Sequence, residues 1–327
     1  MKRLVSIPDV ADRAAWIGPS DAQPAWLARH ALDGVEVVWC DRRAATRFAP
    51  GTVLGMHLPF YADWLDFWRQ DIDELDREFG GRDVWQTFFQ GTEPDDLIRY
   101  YRRALDDAQA LAVDYVVFHV SQVSVDETLG RPFRYTDQDV IRAAADAINR
   151  SLAPGASDTG TPYTFEFLME NLWWPGLNWR DPDVTRALFD AVEYDRKGFV
   201  LDLGHLVTAV GPEHAVPDIL RCLDRHGDLV DHIRAVHLHQ PNLGDVPPPP
   251  AWPAAEDYYD RYRISYEYVG LTDRHDIWTM PGLDRLLRRI APTYLVYEFR
   301  AHDAGEFQRN IARQNAWVDA AQRAEPS

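Results

Sequence analysis

With 327 residues, 46% of them hydrophobic and twelve of them tryptophan, the chain has the apolar content of a large packed domain and not of a disordered polymer. Its 52 acidic residues outnumber 34 basic ones, and the net charge of −18 repels phosphate backbones, which disfavours general nucleic-acid binding. No apolar run approaches a membrane span, and the opening MKRLVSIPDVADRAAWIG lacks the apolar stretch of a secretion signal.

In chain order, short β-rich runs alternate with helical patterns. Strands are expected at 3–7 (RLVSI), 34–39 (GVEVVW), 52–58 (TVLGMHL), 114–120 (DYVVFHV), 163–170 (YTFEFLME), 198–203 (GFVLDL), 233–239 (IRAVHLH) and 293–299 (TYLVYEF). Helices are expected near 22–31, 94–112, 136–150, 181–194, 212–226, 281–290 and 304–323. Asp181-Pro182 and Gly211-Pro212 read as helix starts. Strand–helix alternation without a long linker implies parallel pairing through right-handed crossovers. Eight such strands point to an α/β fold, a single (β/α)8 barrel domain over 1–327, with a doubly wound open sheet as the structural rival. The two cysteines, Cys40 and Cys222, cannot make a disulfide framework and read as buried small hydrophobes in a reducing, cytoplasmic setting.

Two segments exceed what a barrel needs. Residues 60–92, after strand three, carry Phe60, Tyr61, Trp64, Phe67, Trp68, Trp85, Phe88 and Phe89 among many acids. Residues 240–280, after strand seven, contain PPPPAWP and YYDRYRISYEYVG. Both leave the strand end where barrel enzymes build their sites, so they read as lids over a flat, apolar ligand, or else as surfaces packed on the barrel or on a homodimer partner.

Histidines and carboxylates gather at the ends of strands three to eight. His57, His119, Glu170, Asp202, His237 and Glu298 end successive strands, with His205 and His239 close behind. A single strand histidine is ordinarily a satisfied core group, but random placement would not send six strands' worth to one rim. Convergent imidazole and carboxylate are what borderline divalent metals require. Asp202 and His205 flank Gly204, read as a sharp bend. His237 and His239 share a strand face by the period of two, as do Glu166, Leu168 and Glu170, which puts Glu166 a layer deeper in the barrel. An isolated Asp-x-His is ordinarily a solvated turn. On this rim, Asp273 and His275 complete a further ligand set, with Arg274 facing solvent or an anionic substrate.

The motifs GMHLPFY, FHVS, LMEN, DLGH, VHLH, TDRH and YEF, in this order along nearly the whole chain, resemble those of the xylose-isomerase-like barrels, and of their endonuclease IV branch in particular. The resemblance implies metal ligands at His57, His119, Glu170, Asp202, His205, His237, Asp273, His275 and Glu298. It implies two or three divalent ions, zinc first, with manganese or iron(II) as alternatives. The family's single-metal isomerases use only positions like Glu170, Asp202, His237 and Glu298, so the Asp-Arg-His element favours the phosphodiesterases. The chain departs from the DNA-repair members in the long connection before Asp273, in His239-Gln240, and in the 60–92 insertion, and abasic-site cleavage is the less favoured outcome. The superfamily that the chain resembles also contains enzymes that hydrolyse the phosphodiester in the nucleotide loop of cobamides, which the two aromatic excursions would suit.

The expected activity is therefore hydrolysis of a phosphodiester in a small or bulky organic substrate by a metal-bound hydroxide. Glu170 bridges the ions, and Arg274, His239, Phe60 and Tyr61 contact substrate. The alternative is a sugar isomerase or epimerase on one metal, with Glu170 and Glu298 as the acid/base pair. A non-enzymatic, degenerate ligand-binding rim is a third reading. A small molecule is the expected partner; nucleic acid and membrane are not.

Overall fold

The computed structural model describes residues 1–40, 44–155, 157, 160–250 and 257–323. Eight parallel strands close in chain order: β1 Lys2–Pro8, β2 Gly34–Val38, β3 Val53–His57, β4 Tyr115–His119, β5 Glu166–Glu170, β6 Lys197–Asp202, β7 Ile233–Leu238 and β8 Tyr294–Tyr297. β8 pairs with β1, so the sheet is a closed (β/α)8 barrel and the open doubly wound alternative is excluded.

The strands read as near-continuous apolar runs because both of their faces are buried. Inward-pointing Leu4, Val117, Leu168, Val200, Ala235 and Val296 fill the barrel with Tyr115 and Tyr294. Outward-pointing Val116, Phe118, Phe167, Met169, Phe199 and Leu201 meet the helices in one large core. Gly55 on β3 is required by this packing: a Cβ there would lie 2.3 Å from the Tyr115 ring. Glu166 shares the inward face of Leu168 but lies at the opposite mouth of the barrel, paired with Arg234 at 3.1 Å and partly exposed, not a layer beneath the rim.

Helix starts follow local chemistry. Pro94–Leu111 and Asp137–Leu152 open with reciprocal caps, Glu93 with Asp96 and Thr136 with Asp139. Asp181 caps Pro182–Ala191 as expected. Gly211-Pro212 does not start a helix. Gly211, at φ 92°, ends the unforeseen helix Leu203–Val210, and the next helix runs Ala215–His226.

The two excursions are largely helical. The first contains Leu65–Arg69, Ile72–Phe79 and Arg82–Phe89; the second contains Tyr258–Thr272. Phe67 stacks on Phe89 at 4.2 Å, and Tyr258 stacks on Phe79 at 4.0 Å and meets Phe88 edge-on, so the excursions pack on each other beside the barrel mouth. Residues 251–256, part of the expected proline-rich segment, lie outside the described residues. No helix among the described residues is long and apolar enough to cross a membrane. Cys222 is buried, but Cys40 stands exposed, against expectation, because it lies just past β2 where the chain leaves the barrel wall.

Candidate metal centre

The centre is built by one step of strand periodicity. Val117, Leu168, Val200, Ala235 and Val296 point inward, so the residues two further on, His119, Glu170, Asp202, His237 and Glu298, point inward one layer higher. Register then fixes neighbours: His119 lies opposite Glu170 between β4 and β5, and Asp202 opposite His237 between β6 and β7.

These side chains form overlapping ligand sets whose donor atoms lie within 4.8 Å of one another. His57, His119 and Glu170 form one, and Glu170, Asp202 and His237 a second, so Glu170 belongs to both. His205, His239, Asp273 and His275 form a third. Glu298 lies near Asp202 and His239, and its Oε2 is 3.5 Å from Nδ1 of His237. The structure thus brings together all nine residues expected as ligands.

The imidazoles are oriented by their second nitrogens. Nδ1 of His57 donates to the Leu58 carbonyl at 2.8 Å, Nδ1 of His205 to the Asn171 carbonyl at 2.8 Å, and Nδ1 of His275 to the Glu298 carbonyl at 3.0 Å. Each of these rings turns Nε2 toward the carboxylates. His237 is reversed: Nε2 meets Glu36 at 3.2 Å and leaves Nδ1 3.3 Å from Glu170. One nitrogen committed and the other presented is the arrangement by which ligating histidines are held.

Two supporting residues went unread in the sequence. Glu36, fully buried on β2, accepts from the Tyr115 hydroxyl at 2.7 Å beneath His237. Its signal was a lone acid in the apolar run GVEVV. Asn171, within LMEN, clamps the Asp202 backbone through both amide atoms, at 2.9 and 3.1 Å. Asp202 in turn caps the Leu203–Val210 helix, accepting from the His205 amide at 2.7 Å. Gly204 does not serve as a bend. It lies in that helix, and a Cβ there would lie 2.1 Å from the His239 ring.

The electrostatics show what the protein alone leaves unsatisfied. Burial would push the Glu170 carboxyl up, but the imidazoles of His119 and His237 outweigh it and hold it well below the usual range. Against burial, His275 and His205 likewise hold Asp273 low. The same pairs lift the imidazoles: against burial, Asp202 and Asp273 raise His205 to about 10, and Asp273 raises His275 to about 9. His119 is lowered by burial and by its neighbour His57. Even so, both oxygens of Glu170, Nδ1 of His237 and His239, and Oδ1 of Asp273 are buried without a well-formed hydrogen bond. Nε2 of His57 and His119 face each other at 3.0 Å. Orphaned acceptors of this number, in a set of imidazoles and carboxylates, fit divalent cations and are costly without a positive partner.

A cavity of about 550 Å³ opens above the centre. His57, His119, His205, Asp273, His275 and Glu298 reach its wall, and Phe60, Trp173, Trp174, Tyr258, Tyr262 and Tyr266 supply most of the aromatic lining. Of the residues expected to contact substrate, Phe60 lines the cavity, edge-on to His119 at 4.4 Å. Tyr61 instead packs on Phe88, Phe89 and Tyr100. His239 is fully buried, stacked on His275 at 3.8 Å and held by Asp202, so it joins the ligand layer and not the wall. Arg274 turns outward to Asp276 at 3.1 Å. Arg300 is the cavity's own cation, the one Arg or Lys among the described lining residues, and its guanidinium lies beside Gly270.

Residues 24–275 match the family model described as xylose isomerase-like TIM barrel. No curated protein sequence matches the chain. Among solved structures, the IOLI protein with a bound zinc atom is similar at TM-score 0.57 and 15% identity, over 100% of both chains. Endonuclease IV from Thermus thermophilus is similar at 0.53 and 14%, over 98% of this chain and 100% of that one. A D-tagatose 3-epimerase-like protein is similar at 0.51 and 14%, over 98% and 97%. At these identities the likeness is one of fold.

Proposed function

The chain belongs to the xylose isomerase-like TIM-barrel family, and from that premise we propose that it is a metal-dependent hydrolase cleaving a phosphodiester in a small organic molecule, the cobamide nucleotide loop being one candidate. The carrying observation is the third ligand set, His205, His239, Asp273 and His275, beside the two that share Glu170. A single divalent ion would need only one set. It would leave most of the carboxylates Glu170, Asp202, Asp273 and Glu298, the first three of them buried, to their imidazole partners alone, and burying charge in that way costs on the order of several kcal/mol per ion. Two or three ions balance them, with zinc as the proposed metal, the donor set being mixed imidazole and carboxylate.

Cations held there supply Lewis acidity and lower the pKa of a water to about 7. The protein's own residues do the rest. Glu170, shared by two sets, fixes their relative position. Glu36 and the backbone carbonyls of Leu58, Asn171 and Glu298 hold the imidazoles in the presenting orientation. Arg300 faces the cavity and provides the fork for a non-bridging phosphate oxygen, the role Arg274 cannot reach. The aromatic walls exclude water around the reacting ester. A cavity of this volume encloses a drug-sized or nucleotide-sized fragment, and with the acidic surface this favours a small molecule over a duplex.

Elemental analysis combined with hydrolysis of bis(4-nitrophenyl) phosphate, cobamides and abasic duplex tests the reading. Two or three equivalents with phosphodiester turnover is the expected result. One equivalent with ketose epimerisation transfers the assignment to an isomerase using Glu170 and Glu298. In the same assays His275→Ala should lose one equivalent and nearly all turnover while keeping the far-UV circular dichroism of the wild type.

A further inference from the structure

The cavity carries a second polar point that the metal centre does not use. Asp63, in the loop after β3, lines the cavity yet is only 5% exposed. Gln122 donates to its Oδ1 at 2.9 Å, while Oδ2 is buried with no hydrogen-bond partner among the described residues. Tyr258, at the start of the Tyr258–Thr272 helix, also lines the cavity, is 2% exposed, and its hydroxyl is likewise buried with no partner among the described residues. Glu78 stands behind them, 4% exposed, with Oε1 unpartnered. No arginine or lysine among the described residues pairs with Asp63.

Two independent excursions therefore deliver an unsatisfied acid and an unsatisfied phenol to one cavity wall. Buried polar groups of this kind are destabilising as long as no partner meets them. Both are held in place by their neighbours: Gln122 accepts from the Trp64 and Leu65 amides at 2.9 and 2.8 Å and so fixes the Asp63 loop, while Phe79 stacks on the Tyr258 ring. Burial pushes the Asp63 carboxyl well above its usual range, with the Glu78 charge adding to it, as expected of an acid awaiting a positive partner. Tyr258, Tyr262 and Phe60, lining the same cavity, offer π faces that attract a cation.

We infer that Asp63 and Tyr258 form a subsite for a positively charged nitrogen on the substrate, an ammonium or protonated ring nitrogen carried by the organic portion. As a statement about the substrate, this rests on the hydrolase reading, which supplies the reacting end at the metal centre. As a binding site, it stands on the cavity alone. The substrate class is then an amine-bearing phosphodiester, its phosphate at the histidine rim and its cation at Asp63.

The test uses ligands without phosphate. Calorimetric titration of the metal-loaded protein at pH 7 with 2-phenylethylammonium and with uncharged 2-phenylethanol, of nearly equal size, should show the cation bound about tenfold more tightly. Asp63→Asn, which keeps the acceptor for Gln122, should bring the ratio to about one, and Tyr258→Phe should lower it several-fold. Equal affinities in the wild type, or a preference that survives Asp63→Asn, overturns the subsite. If Asp63→Asn does not fold, an unchanged ratio in Tyr258→Phe overturns it equally. Hydrolysis of bis(4-nitrophenyl) phosphate, run in parallel, separates the two claims. Turnover without an ammonium preference removes the subsite alone, and preference without turnover removes the reaction alone.

Discussion

The barrel's two mouths are made by the same strands from the same kinds of side chain, and they are satisfied in opposite ways. At the mouth where the strands begin, Glu166 pairs with Arg234 at 3.1 Å, and Asp114 is met by Lys2 at 3.0 Å and by the Tyr294 hydroxyl at 2.9 Å. Each acid there has a permanent cation or donor and some contact with water. At the mouth where the strands end, Glu170, Asp202 and Asp273 are buried against imidazoles with no Arg or Lys partner among the described residues, and orphaned atoms remain among them. A self-sufficient mouth belongs to stability and an unsatisfied one to binding, because the missing partner must come from outside the chain.

Replacing the shared acid should break the contrast most severely. Glu170→Gln removes a ligand from two sets at once, so phosphodiester hydrolysis should fall to background and the metal content should drop by at least one equivalent. Full metal loading with turnover within tenfold of wild type would show that the sets are not coupled through this residue.

Glu36→Gln probes the layer beneath. The ring of His237 keeps its place but loses the carboxylate that holds its Nε2 proton, and metal affinity should weaken by about 10–100-fold, read by competition with a chelator. Loss of Tyr115 contact alone would lower stability without moving the affinity, so the two readouts separate positioning from packing.

The metal-free protein should sharpen the contrast further through pH. His205 and His275 sit near 10 and 9 against about 6.5 unfolded, so protonation of these rings stabilises the folded state. That contribution is complete below about pH 6.5 and is lost as pH rises through 9 and 10. The melting temperature of stripped protein should therefore fall between pH 6.5 and 10, while the increment on adding zinc should grow with pH because ions replace the protons. A stripped protein whose melting temperature holds level across that window would show that the imidazoles do not carry the compensating charge.

How much of this was legible follows the reach of local rules. A strand has a period of two, so Ala235 inward implies His237 inward, and a reading from residues alone finds Glu170, Asp202 and His119 at one level. Glu36 obeyed the same rule and stood out as an acid in an apolar strand, yet its value depends on His237 being opposite, which is a matter of closure. Loops have no such period. His275 adopts a left-handed φ of 50°, and Arg274 before it faces Asp276, while Arg300, reached from a different strand, lines the cavity. Gly204 shows the same limit: its reason is the ring of His239, 35 positions away, and not its own torsions. The helices of the excursions escaped because their apolar residues serve each other as well as the barrel. Phe79 packs beside Phe88 and Phe89 of its own excursion, and Tyr258 of the other stacks on it.

The smallest expected effect is the one that tests whether the mouths are independent. Glu166→Gln removes the charge from a pair whose side chains are 25% and 42% exposed, so solvent already screens much of its attraction. The loss should be at most about 1 kcal/mol in a urea titration, and smaller still at high salt. Hydrolysis and metal content should not change, since Leu168 separates Glu166 from Glu170 on the inward face of β5 and no imidazole at the far rim pairs with it. Should Glu166→Gln instead depress turnover as deeply as a change at Glu170, the apolar layer of Leu4, Val117, Leu168, Val200, Ala235 and Val296 would have to transmit charge or strain across the barrel. The division between a stabilising and a binding mouth would then be wrong.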